Sequence, residues 1–162
     1  MNDIEVKRKR IRRNLVMIII GLILSGISAL PIESLLSFAA GITENWNNLF
    51  SIWIGRVYLG VRETNISFPF MSYGTDWLAF AHFVIAILFV GPLRDPQKNI
   101  WVIEFGMVAS VLIIPFAFVA GAVREIPLFW RIIDCSFGVF AGLILYNTYR
   151  LTKSLERTSI SH

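Results

Sequence analysis

Four apolar runs of membrane-crossing length decide what this chain can fold into. They occupy residues 15–31, 75–93, 100–123 and 126–149. A bilayer core about 30 Å thick is crossed by about 20 helical residues. The second run lies at the short edge of the spanning range, and charges are scarce inside all four. Hydrophobic residues make up 56% of the sequence and charged ones 16%, against about 45–50% and about 25% in soluble domains. The expected fold is therefore an all-α integral membrane protein, a four-transmembrane-helix antiparallel bundle. It forms one membrane domain over 15–149, between a basic flank at 1–14 and a tail at 150–162.

Orientation follows from where Lys and Arg fall, because cytoplasmic flanks carry the excess. Lys7, Arg8, Lys9, Arg10, Arg12 and Arg13 precede the first span, Arg94 and Lys98 follow the second, and Arg150, Lys153 and Arg157 follow the fourth. Only Arg56, Arg62, Arg124 and Arg131 lie on the opposite side. Both termini are thus expected in the cytoplasm of a multi-pass protein of the plasma or inner membrane, with residues 32–74 outside. The first basic cluster reads as a topology signal that also attracts anionic lipid. A net charge of +4 distributed this way calls for no nucleic acid, which would need a soluble basic face. Met1 to Ala29 has the basic start and apolar middle of a leader, but Ile27 is a poor small residue before a cleavage point.

The outer loop 32–74 is too long to be structureless. Within it Trp46, Leu49, Phe50, Trp53, Val57 and Val61 recur at helical spacing, so an extracytoplasmic amphipathic or interfacial helix is expected there. Pro69 and Gly74 then punctuate NISFPFMSYGTDW, with Asp76 as the expected N-cap of the second span. Asn65-Ile66-Ser67 matches a glycosylation sequon, a pattern common by chance. Pro92 and Pro96 close the second span in GPLRDPQKN, and the short AGAVREIP makes the third and fourth spans antiparallel neighbours. Small residues at Gly21, Ser25 and Ala29, and at Gly138 and Gly142, mark faces for close helix approach.

The fourth span carries polar groups that need a reason. Counting about 1.5 Å per residue from Ile126, Arg131 lies about 8 Å and Asp134 about 12 Å inward. Their i,i+3 spacing allows an intramembrane charge pair, with Cys135 beside them, and Arg131 is long enough to snorkel outward. Asp134 is not, and an unpaired carboxylate at that depth is costly. His82 lies at comparable depth in the second span, on the face of Ala79, Ala86 and Phe89. These residues suggest a polar pocket open to the outer side, formed by Asp134, Arg131, His82, Asp76 and Cys135 and rimmed by Glu33, Arg124 and Glu125. The competing expectation is a brace, with Arg131 and Asp134 holding the bundle and His82 bonded to nearby backbone. Glu104 reads as interfacial, and Pro115 as a kink in the third span.

No cofactor is implied, since no nucleotide, phosphate or haem motif occurs. One in-span histidine makes a metal site improbable, and a single cysteine allows no internal disulfide. The four-span, aromatic-rich plan resembles small membrane proteins as a class, four-helix drug exporters and sterol-handling proteins among them. It has none of their diagnostic motifs, so no function is carried over. The expected function is that of an accessory or assembly subunit, whose partners are the lipid bilayer and either other membrane proteins or further copies of itself. The alternatives are a ligand-binding or proton-coupled transport module working as an oligomer, and a membrane enzyme acting on lipid head groups with His82 as base.

Overall fold

The computed structural model describes residues 3–160, and every regular element among them is helical. Seven α-helices follow in order: α1 Asp3–Ala29, α2 Ile32–Thr43, α3 Leu49–Ser67, α4 Tyr73–Leu88, α5 Val90–Arg94, α6 Ile100–Val123 and α7 Leu128–Ile160. A 3-10 turn at Pro69–Ser72 separates α3 from α4. Four stretches are long and apolar enough to cross a membrane: Asp3–Ala29, Pro69–Arg94, Ile100–Val123 and Leu128–Arg157. The chain divides into two compact units, Met1–Ile20 with Ala86–His162, and Gly21–Ile85. Each is described by itself.

In the first unit α6 and α7 form an antiparallel hairpin that closes through small residues. Gly138 lies so near α6 that an added Cβ would stand 2.7 Å from the Ser110 carbonyl oxygen, and Gly106 meets Leu145 and Phe89 in the same way. Gly138 and Gly142 therefore pack inside this chain against Ser110. The close helix approach expected at these two glycines is thus made with α6. The turn joining the helices is a Schellman motif. Ile126 N–H donates to Gly121 O at 2.8 Å and Glu125 N–H to Ala122 O at 3.2 Å, which satisfies carbonyls that a helix end otherwise orphans. It requires a left-handed residue, and Glu125 supplies it at φ 57°.

Both flanks are longer helices than the sequence suggested. α1 starts at Asp3 and α7 continues to Ile160, and the two run side by side. Lys7 Nζ donates to Ser154 Oγ at 3.0 Å and Asn14 Nδ2 to Thr148 Oγ1 at 3.2 Å. Ile11, Leu15, Thr148, Thr152 and Leu155 are buried along this seam. The hydroxyls of Thr148 and Thr152 also donate to carbonyls one turn back, so the buried polar groups are paired as they must be.

The stretch between the second and third spans holds two surprises about proline. Pro92 does not stop the helix, because α5 runs through it to Arg94. The break lies earlier, at Phe89, and Pro92, having no N–H, leaves the Leu88 carbonyl without its helical partner. Asp95 stops the helix with extended backbone, φ −143° and ψ 95°, as the residue before Pro96 must. α6 stays helical through Pro115.

The second unit contains the C-terminal part of α1, then α2, α3 and most of α4. Gly26 packs on Phe83 and on the Ala79 carbonyl. The contact is thus at Gly26 and not on the expected stripe, since Gly21 has open space around it and Ser25 is exposed. α2 was not expected as a helix: the chain turns at Pro31 and resumes helical geometry at once. α3 begins in a capping box, with Ser51 N–H donating to Asn48 Oδ1 at 2.9 Å. Its inward face overlaps the expected stripe only in part, with Phe50, Trp53, Val57 and Val61 half-buried. Ile54 is the buried residue, while Trp46 and Leu49 are exposed. Ile52, Leu59 and Ile66 are exposed too, so α3 is apolar on more than one face and not cleanly amphipathic. Asp76 falls inside α4, which starts at Tyr73, and is therefore no N-cap.

Candidate functional site

Arg131 shows why an arginine sits in an apolar helix. Its stem lies across Gly121, whose missing side chain makes the room: an added Cβ would stand 2.9 Å from both Cγ and Cδ of Arg131. The side chain turns back toward the N-terminal end of α7, and its Nε donates to Ile126 O at 2.7 Å. The side chain thereby has a definite task, tying the turn between α6 and α7 to the helix that follows it. The charge pair with Asp134 does not form. Among the described residues the ion pairs are Lys7–Asp3, Lys98–Asp95 and Lys153–Glu156.

Asp134 is half-buried and makes no hydrogen bond or ion pair within its unit. By spacing it shares a face of α7 with Gly138, Ala141, Leu145 and Thr148, the face that elsewhere is packed. Cys135 is a buried free thiol next to it. Arg124, the C-cap of α6, and Glu125 are exposed and belong to the Schellman turn.

In the second unit, His82 Nδ1 lies 2.7 Å from Leu78 O. A carbonyl can only accept, so Nδ1 is the donor in this contact. A histidine base oriented by Asp76 would instead need a carboxylate at Nδ1. Asp76 is exposed in the first turn of α4 and does not serve that role. Glu33 has a different task from the rim position expected for it. Its Oε2 accepts from Asn65 Nδ2 at 2.6 Å, and the Ser72 hydroxyl donates to Asn65 Oδ1. One asparagine thereby joins α2, α3 and the 3-10 turn. With both ends of its amide engaged, Asn65 is a poor glycan acceptor despite the sequon.

Several groups that hold these arrangements were not singled out in the sequence: Asn14, Gly26, Ser110 and Gly121, while Asn65 was noted only for its sequon. The available signal was spacing. Gly121 stands ten residues before Arg131 across a short turn, and Thr148 and Thr152 continue the inward stripe of Gly138 and Leu145. Among the described residues no three His, Cys, Asp or Glu side chains cluster as metal ligands. Comparison with protein-family models, curated proteins and solved structures finds no match for the chain.

Proposed function

We propose that this chain is a multi-pass membrane protein with both termini in the cytoplasm, and that it serves as an accessory or assembly subunit. The observation that carries the reading is how the polar residues of the apolar helices are used. Arg131 holds a turn, His82 bonds its own helix, and Glu33 joins two helices through Asn65. A carrier or an enzyme needs such groups to converge on a ligand, with a base oriented by a second group. Here each serves local structure. The exposed apolar residues of α2 and α3, among them Phe38, Ile42, Ile52 and Leu59, support a hairpin lying in the outer interface.

One observation favours a second reading. Asp134 has no partner in its unit, and an intramembrane carboxyl is by default a functional candidate. A proton-coupled module would use it. The two readings part in vesicles loaded with a pH dye and containing the purified protein alone. The accessory reading predicts no proton flux above protein-free vesicles, and no change with Asp134→Asn. Flux that disappears with Asp134→Asn would replace it with the transport reading.

A further inference from the structure

The contacts inside the first unit set arginines of α1 and α7 and a tryptophan of α6 at one level. Asn14 stands opposite Thr148 and Lys7 opposite Ser154, so Arg12 and Arg13 of α1 come level with Tyr149 and Arg150 of α7. Gly106 opposite Leu145, and Ser110 against Gly138 and Gly142, bring Trp101 of α6 to that level as well. Trp101 and Tyr146 are exposed there, and the Arg150 guanidinium sits 6.0 Å from the Tyr146 ring centroid. An aromatic ring at one level with arginines just beyond it is the pattern of a membrane–water boundary. The opposite boundary agrees, since Trp101 to Val123 rises about 33 Å, close to the roughly 30 Å of a hydrocarbon core.

Arg8, Arg10, Arg12 and Arg13 are exposed and have no acidic partner among the described residues. Their positions spread over more than half the circumference of α1, leaving free only the strip of Ile11, Asn14 and Leu15 that faces α7. A docked protein would cover one side of such a helix, whereas lipid headgroups surround it. The spacing also places like charges at i,i+4 (Arg8 with Arg12), an arrangement that weakens a helix unless counter-charge is supplied. Arginine forks suit phosphate oxygens better than ammonium groups do. α1 cannot lie flat on the surface to meet them, because Lys7 and Asn14 hold it against α7.

We infer that Arg12, Arg13 and Arg150, with Arg8 and Arg10 above them, form a collar that binds the phosphates of anionic phospholipids in the surrounding leaflet. The inference rests on the membrane reading proposed above. The test compares the melting temperature of the purified full-length protein in neutral detergent with added phosphatidylglycerol and with phosphatidylcholine of the same acyl chains. Phosphatidylglycerol raises it saturably above phosphatidylcholine, and the difference falls by at least half in Arg12→Gln/Arg13→Gln. Arg56→Gln/Arg62→Gln, on α3, leaves the difference intact. Because the readout is a difference between lipids within each variant, a generally weakened variant still reports.

Equal effects of the two lipids, or a collar variant that responds like wild type, would overturn the inference. An equal rise with inorganic phosphate would also overturn it, by revealing a free-anion site. Flotation with phosphatidylcholine vesicles separates this from failure of the membrane reading. Protein that does not float sinks both, and protein that floats without preferring phosphatidylglycerol sinks the collar alone.

Discussion

Gly138 and Gly142 are one helical turn apart, yet replacing each by alanine should shift stability in opposite directions. At Gly138 the new Cβ would stand 2.7 Å from the Ser110 carbonyl oxygen and 3.3 Å from Ile113 Cβ. The first of these is a backbone atom that cannot rotate away, so α6 and α7 must separate by roughly half an ångström over the contact. Overpacking of this kind costs about 1–3 kcal/mol, and the better helix propensity of alanine returns up to about 1 kcal/mol. The net loss is about 0–2 kcal/mol. At Gly142 the nearest atom is Ser110 Cβ at 3.4 Å, an ordinary contact. Alanine there keeps the propensity gain and should be neutral or stabilising by up to about 1 kcal/mol. Scanning fluorimetry of the three purified proteins in one detergent checks this, since about 2–4 °C accompanies each kcal/mol in a chain of this length. Equal destabilisation by both would refute the packing argument.

Three further outcomes follow from the same contacts. Glu125→Gly should raise stability by about 1 kcal/mol, because φ 57° strains any side chain and not glycine, and a thermal scan would show it. The Asp95 carboxyl is held below the usual aspartate range, chiefly by the Lys98 N–H donating to it and further by the Lys98 charge. A lowered value in the folded state means that its stabilisation is present at neutral pH and lost as pH falls through that range. Asp95→Ala should therefore melt below wild type at neutral pH and converge with it in acid, a trend that melting curves across pH would reveal. Asn65→Ala removes the bridge from Glu33 to Ser72 and leaves two polar groups unpaired. It should destabilise by about 1–3 kcal/mol and speed proteolytic cleavage between α3 and α4.

The spanning-length helices were legible because a run of about 20 apolar residues has few other uses. The α6–α7 hairpin was legible from its short turn. What the sequence hid depends on rotation and reach more than on pattern. A stripe displaced by one residue points about 100° away, which separates Gly26, packed on Phe83, from the expected Ser25, and Ile54 from the expected Trp53. α2 was hidden because Pro31 reads as a stop, yet the helix restarts immediately after it. The flanks read as charged tails, but Ile11 and Leu155 fall on one seam that only the two helices together define. Arg131 was given the wrong partner. Its i,i+3 spacing allows Asp134, while the room above Gly121 and the free carbonyl of Ile126 lead the side chain the other way.

The claim that the polar residues of these helices serve local structure instead of a shared site is tested most directly by a double-mutant cycle. Arg131→Gln, Asp134→Asn and the double variant are compared with wild type by chemical unfolding in one detergent. Arg131→Gln should cost about 1–3 kcal/mol through the lost bond to Ile126 O, and the double variant should equal the sum of the singles within about 0.5 kcal/mol. A coupling well above 1 kcal/mol, with the double variant recovering what Arg131→Gln loses, would mean that the two side chains act as one charged pair and would contradict the account.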